Sequence, residues 1–67
     1  MSPRRLRTVL KTLREKRGMT QLDLATKAKV AQGYLSDLEA GAKKNPGLDV
    51  LKRLARALGV PVTELLE

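Results

Sequence analysis

Apolar residues recur along this chain at the spacing that one face of an α-helix requires. In the first such stretch, Ser2 and Pro3 are typical of an N-cap and first helical position, and Gly18 is a stop signal. The inward positions between them are Leu6, Val9, Leu10 and Leu13. This stretch predicts an amphipathic first helix whose solvent side is strongly basic.

Two shorter helical patterns follow between Thr20 and Gly41. Thr20 is a favourable N-cap, Asp23 has the spacing of a capping box, and Met19 and Leu24 have that of a hydrophobic staple. The predicted inward positions are Leu24, Ala25, Ala28, Val30, Leu35 and Leu38. Two helices joined by a turn of three to four residues predict a helix-turn-helix over about residues 20–40. This arrangement implies a partner for the second helix.

A fourth helix and a short fifth one complete the pattern. Gly59 ends the fourth helix, and Val60-Pro61 returns the chain to an extended conformation. The inward positions are Leu48, Leu51, Leu54, Ala55 and Leu58 in the fourth helix, then Val62, Leu65 and Leu66 in the fifth. The chain shows no repeat, linker or low-complexity segment. It therefore predicts an all-α fold of five helices in a single domain over residues 1–67.

Charge favours a polyanionic partner. The 67 residues include 14 basic and 7 acidic side chains, a formal charge of +7 with a pI near 10.4. Such an excess is typical of nucleic-acid binders, although small domains also carry charge for solubility. Lack of both Cys and His removes the usual metal ligands and the imidazole base. No metal, cofactor, small-molecule ligand or enzymatic activity is therefore predicted.

Neither a spanning helix nor a signal peptide is expected, since no apolar run of about 18 residues occurs and no apolar region follows the basic N-terminus. Together with the excess of positive charge, these absences predict a cytoplasmic, nucleoid-associated protein without a membrane partner.

A set of positions within the predicted helix-turn-helix resembles the DNA-binding domain of the phage-repressor and Cro-like transcription regulators. Its members are Thr20-Gln21, Leu24-Ala25, Val30, Leu35, Leu38-Glu39 and Gly41, and the resemblance continues through Pro46 and residues 51–60 to Leu66. It implies a compact repressor-like domain that binds double-stranded DNA as a homodimer on a two-fold symmetric operator. One reading helix covers only about four or five base pairs, so paired half-sites are required.

Base readout is expected from the N-terminal part of the third helix, which the resemblance places in the major groove. Gln32 could pair bidentately with adenine, and Asp37 could accept from a cytosine amine or reject other bases. Gly33 allows close approach to a thymine methyl or a phosphate, or is a tolerated glycine. Tyr34 faces the DNA backbone or covers the core. The base-reading candidates are Gln32, Gly33, Tyr34, Ser36 and Asp37.

Phosphate contacts are expected on both sides of that helix. The start of the second helix offers free N–H groups and a positive dipole end, and the resemblance assigns a phosphate clamp to Gln21. Lys43, Lys44 and Asn45 match the family's second phosphate contact, with an ordinary solvated loop as the alternative.

Arg14 and Glu39 match family positions that commonly form a bidentate ion pair, which would tie the third helix to the scaffold. The chain departs from the family at three positions. Ala31 replaces a capping Ser or Thr, and Pro61 replaces a capping Ser. Lys29 stands where the family often has a Gly or Asn in a left-handed conformation, which implies a strained backbone for a lysine in this turn.

The dimer contact is assigned to Val62, Leu65 and Leu66, which could equally complete the core of one subunit. Three other function classes remain as alternatives. An antitoxin-like or adaptor protein would use the fold mainly to bind protein, an enzyme would need turnover, and a membrane-binding protein would use the basic first helix.

Overall fold

The computed structural model describes residues 3–43 and 45–66, and of Pro3 and Arg4 it describes the backbone only. Ser2, the predicted first N-cap, lies outside these residues. The described chain is all-helical, which confirms the predicted fold class. Its five helices are α1 Pro3–Lys16, α2 Gln21–Ala28, α3 Gln32–Ala40, α4 Leu48–Leu58 and α5 Thr63–Leu66.

Local sequence signals fix both ends of α2. The Thr20 hydroxyl accepts from the Asp23 N–H at 3.0 Å, and the Asp23 carboxylate accepts from the Thr20 N–H at 2.9 Å. The predicted capping box is therefore confirmed. At the other end, Lys29 adopts a left-handed conformation with φ of 59° and ψ of 45°. Its N–H bonds the Thr26 carbonyl, and the N–H of Val30 bonds Ala25, so the chain turns sharply into α3.

The core is built almost entirely of leucine and alanine. Its fully buried members are Leu6, Leu10, Leu24, Leu35, Leu38, Leu54, Leu58 and Leu65, supported by Ala25, Ala28, Leu51, Ala55 and Ala57. Helix α2 packs against α3 and α4, while α1 packs against α3 and α5. Helix α3 therefore lies between α1 and α2, which hold it from the inside and leave its opposite surface free.

Leu48 differs from its predicted position, and Leu65 fits one of the two alternatives given for it. Leu48 was expected to face inward but is 52% exposed. It is the first residue of α4, where a helical side chain leans toward the N-terminus and so away from the part of the helix that packs on the core. Leu65 was assigned to a dimer contact, but it is only 1% exposed and belongs to the core of the single chain. This burial favours the alternative given above for Leu65, completion of the core of one subunit.

Candidate nucleic-acid interface

The outer surface of α3 carries polar groups that the fold leaves unused. Gln32, Gly33 and Asp37 are exposed, and Ser36 is half-buried. Within the described part of the chain, the side chains of Gln32 and Asp37 make no hydrogen bond or ion pair. The predicted base-reading residues thus share one helix surface, and the amide and carboxylate on it are available to an external partner.

Gly33 has no internal reason to be glycine. Its φ is not in the left-handed region, and a Cβ built there would meet no atom of the described residues within 4 Å. A glycine in a helix nevertheless costs roughly 0.5–1 kcal/mol relative to alanine. Neither backbone conformation nor packing inside this chain accounts for that cost. The position is consistent with close approach of something outside the chain.

Tyr34 forms one edge of this surface. It is half-buried against the hydrophobic core, which supports its predicted role as a cover for the core. Its ring also faces the α3–α4 loop, since the Lys43 ammonium lies 5.5 Å from the ring centroid, within cation–π range. The loop is tied to α3 as well, because the N–H groups of Ala42 and Lys43 both donate to the Asp37 carbonyl.

The predicted phosphate-binding loop lies only partly within the described residues. Lys43 and Asn45 are exposed, and Lys44 lies outside the described residues. Lys43 therefore brings a positive charge next to the exposed surface of α3.

Arg14 and Glu39 form the predicted bidentate ion pair. The Arg14 Nε donates to Glu39 Oε2 at 2.8 Å, and its Nη2 donates to Oε1 at 2.9 Å. The Arg14 Nη1 donates to the Met19 carbonyl at 2.8 Å, and the Gln21 amide donates to Glu39 Oε1 at 3.2 Å. This hub, consisting of Arg14, Met19, Gln21 and Glu39, joins α1, the start of α2 and the end of α3.

The ion pair of the hub is largely shielded from solvent. The Arg14 and Glu39 side chains are only 11% and 4% exposed. The hydrogen bond to Glu39 is the main cause that raises the pKa of Arg14 above its ordinary value, so the guanidinium stays charged. The contact between Gln21 and Glu39 was not predicted, because it joins two residues 18 positions apart.

The start of α2 has the features of an anion site. The capping box occupies the N–H groups of Thr20 and Asp23, whereas those of Gln21 and Leu22 have no partner among the described residues. Two hydrogen bonds from Thr20 lower the pKa of Asp23, and the bond from the backbone N–H has a larger effect than the bond from the hydroxyl. The Asp23 carboxylate is therefore charged at neutral pH. Gln21 has one amide hydrogen beyond the one given to Glu39.

Arg53 has a structural role that the sequence analysis missed. Its Nη1 donates to the Lys29 carbonyl at 2.9 Å, and its Nη2 pairs with Asp49 at 3.2 Å. It therefore links α4 to the turn before α3. The spacing of Asp49 and Arg53 is that of a helical ion pair and could have been recognised, but the contact with Lys29 has no local signal.

Val62 and Leu66, the other two predicted dimer residues, are half-buried and pack against the edge of the core. Both retain apolar surface for a further contact. No group of acidic side chains in the described residues could hold a metal ion, and no helix there is long and apolar enough to cross a bilayer.

Comparison with known proteins places this arrangement in context. The profile of the family described as Helix-turn-helix matches residues 10–65. The HTH-type transcriptional regulator DdrOP3 of Deinococcus deserti is 45% identical over 58 residues, which cover 87% of this chain and 44% of that protein. The immunity repressor protein of Bacillus phage phi105 is 39% identical over 57 residues, which cover 85% of this chain and 39% of that protein. The chain thus spans less than half the length of these two relatives.

Solved structures give the same fold. The master regulator for biofilm formation SinR, in complex with DNA, superposes with a TM-score of 0.89 and 34% identity, covering 92% of this chain and 98% of that one. The restriction-modification controller protein C.AhdI from Aeromonas hydrophila gives a TM-score of 0.86 and 30% identity, with 91% of each chain covered.

Proposed function

Since this chain belongs to the helix-turn-helix family, we propose that it is a sequence-specific regulator of transcription that binds double-stranded DNA in the cytoplasm. The observation that carries the proposal is the exposed surface of α3, where Gln32 and Asp37 have no partner in the described chain, next to unpaired N–H groups at the start of α2. The similarity to SinR, whose structure contains DNA, supports the same use of α3.

Sequence readout falls to the first half of α3. The Gln32 amide offers both a donor and an acceptor, the pair that adenine N7 and N6 require in the major groove. Gly33 lets the DNA approach the helix closely, while Ser36 and Asp37 face the next base pairs. The carboxylate of Asp37 restricts the base pairs accepted, because it can pair with a cytosine amine and repels acceptor groups.

Two groups of phosphate contacts fix the position of α3. At one side, the N–H groups of Gln21 and Leu22 and the remaining amide hydrogen of Gln21 bind one phosphate. At the other side, Lys43 and Asn45 bind the opposite strand, together with Lys44, which lies outside the described residues. The charged Asp23 near the first phosphate weakens that contact, so the Gln21 amide is important there.

Binding as a homodimer supplies enough base pairs for selective recognition. One copy of α3 reads about four or five base pairs, which is too few to select a site in a genome. We assign the two-fold contact to Val62 and Leu66, which are half-buried at the edge of the core. Regulation follows from occupancy of the operator, by occlusion or recruitment at a promoter, and requires no chemical reaction at the protein.

Selection of bound sites from a random DNA pool tests the proposal. We expect two inverted half-sites at a fixed spacing. Gln32→Ala should then cost about 1–3 kcal/mol on the selected site and relax the preference at one base pair in each half-site. Equal losses on matched and mismatched sites would remove Gln32 from base readout. Failure of the pool to yield any preferred sequence would contradict the proposed function and favour an adaptor role.

A further inference from the structure

The surface between α2 and α4 contains a basic furrow that the contacts proposed above do not use. Three adjoining cavities of about 370, 350 and 230 Å³ form it, and all are open to solvent. Neighbouring cavities share lining residues, so the furrow is continuous. Its cationic lining residues are Arg17, Lys27, Lys29, Arg53 and Arg56.

The furrow has an excess of positive charge. No acidic residue lines it, and only Arg53 among its cations has an ion-pair partner in the described chain, Asp49. The C-terminal ends of α1, α2 and α4 lie near it, and each contributes about half a negative charge. Five cations exceed those three helix ends by a wide margin. Compensation of helix dipoles therefore does not account for the charge.

The position of the furrow relates it to DNA. Ala31, the N-cap of α3, and Tyr34 line its smallest cavity together with Lys29 and Arg53. From this end, beside the first turn of α3, the furrow continues along α2 and α4 to Arg17 and Gly59. A duplex read by α3 thus has a cationic path leading away from the bases that α3 contacts.

The lining is less suited to an acidic protein. Protein interfaces commonly have apolar or aromatic anchors at their centres. Ala28 and Ala57 are the apolar residues of the furrow's central cavity, while Met19, Val30, Tyr34 and Val50 line the end cavities and are packed against the core. The two large hydrophobic side chains exposed in the described residues, Leu22 and Leu48, do not line the furrow. Phosphate groups along an extended backbone require cations at intervals and no apolar anchor.

We propose that the basic furrow binds backbone phosphates of the DNA that flanks the operator, outside the base pairs read by α3. The proposal rests on the proposed function for the placement of the duplex. Its consequence is an affinity that depends on DNA length, because a duplex that ends at the operator leaves the furrow empty.

Salt titrations on two duplexes test this proposal. One duplex ends at the boundaries of the selected operator, and the other continues for about 10 base pairs, one helical turn, on each side. The variant Lys27→Gln/Arg56→Gln removes two exposed cations of the furrow. The control Lys11→Gln/Lys16→Gln removes two exposed cations of α1 that do not line it, and Lys16, like Lys27 and Arg56, is in the last turn of its helix.

We expect the furrow variant to lower the magnitude of the salt slope on the extended duplex by up to about 3.6 for a dimer, at roughly 0.9 for each lost phosphate contact. On the short duplex the furrow variant should match both the wild-type protein and the control, and only on the extended duplex should its salt slope be smaller than theirs. Circular dichroism will verify that both variants are folded.

Three outcomes would overturn the proposal. Equal slopes for the furrow variant and the control on the extended duplex would reduce the effect to net charge. Equal losses for the furrow variant on both duplexes would move the contact inside the operator. Unchanged binding to the extended duplex, with loss of binding to a poly-glutamate peptide, would assign the furrow to an acidic protein. If the wild-type protein shows no preference for the operator, the proposed function is contradicted instead. The furrow proposal can still be tested in that case, because the effect of duplex length on the salt slope is measurable on any DNA sequence.

Discussion

Lys29 shows how a single residue can carry strain in this fold. Its φ of 59° lies in the left-handed region, which costs a residue with a Cβ roughly 1–2 kcal/mol. The family resemblance predicted this conformation, and the structure confirms it. Arg53 helps to hold it by donating to the Lys29 carbonyl, an interaction that the backbone provides whatever side chain is present.

Substitution of Lys29 by glycine should therefore stabilise the domain. Glycine relieves the strain but adds freedom to the unfolded chain, so we expect a net gain of about 1 kcal/mol in the free energy of unfolding. Chemical denaturation of Lys29→Gly provides the measurement. The control Lys29→Ala also removes the charge but keeps a Cβ, and should show no comparable gain. Equal stabilisation in both variants would attribute the effect to charge.

Asp23 makes the stability of the domain depend on pH. Its pKa is lowered from an ordinary value of 3.8, because its charged form accepts from Thr20. The unfolded chain thus binds the proton more tightly than the folded one. The contribution of Asp23 to the free energy of unfolding is complete above about pH 3.8, and it is lost as the pH falls through the lower pKa of the folded state. We expect Asp23→Asn to be less stable than the wild type at pH 7, with a difference that shrinks in acid. A difference independent of pH would contradict this account.

At the scale of elements, the two ends of α3 are held differently. The C-terminal end has Gly41 in a left-handed conformation, with its N–H bonded to Leu38, and Glu39 in the hub. At the other end, Ala31 has the extended backbone of an N-cap but no side-chain acceptor. The reading helix is thus firmly attached at its end and uncapped at its start.

A hydroxyl at the start of α3 should supply the missing cap. Ala31→Ser is expected to raise the free energy of unfolding by about 0.5–2 kcal/mol, since φ of −67° and ψ of 141° already suit an N-cap. Thermal unfolding gives the comparison. Ala40→Ser, at an exposed position in the last turn of the same helix, provides the control and should not stabilise. A gain at position 40 as large as at 31 would exclude capping as the cause.

The hub gives a second prediction at this scale. Glu39→Ala leaves the Arg14 guanidinium buried without its partner, which should cost about 3–5 kcal/mol. Replacing both members, Arg14→Met with Glu39→Leu, should recover much of that loss. The double variant should nevertheless bind DNA more weakly than the wild type, because the Gln21 amide no longer has the acceptor that orients it. Full DNA affinity in a folded double variant would show that the hub serves stability alone.

Whether the sequence predicts an interaction in this molecule depends on how far apart its partners lie along the chain. The capping box at Thr20 and the helix ends at Gly41 and Gly59 depend on neighbours within a few residues, so a local pattern contains them. The Arg14–Glu39 pair was predicted only through the family resemblance. The exposure of Leu48, the Gln21 contact with Glu39 and the basic furrow depend on how helices meet in space, and a periodic pattern does not contain that information.

At the scale of the whole molecule, α5 contributes to two kinds of packing: the core of one chain and the proposed contact between two chains. Leu65 is fully buried, whereas Leu66 is half-buried at the edge of the core. A charge at Leu66 can therefore be added with less damage to the core than one at Leu65. In an apolar two-fold contact, the same charge would be buried without a partner in both subunits.

Leu66→Lys should consequently give a folded monomer that binds a DNA with two half-sites much more weakly and a single half-site almost normally. Analytical ultracentrifugation and titration on both DNAs would measure this, with Thr63→Lys as a control that adds the same charge at an exposed position of α5. An unfolded Leu66→Lys would assign Leu66 to the core. Retained cooperative binding to the full operator would remove Leu66 from the dimer contact, because the half-sites would then be coupled through another contact between the bound subunits or through a change in the DNA itself.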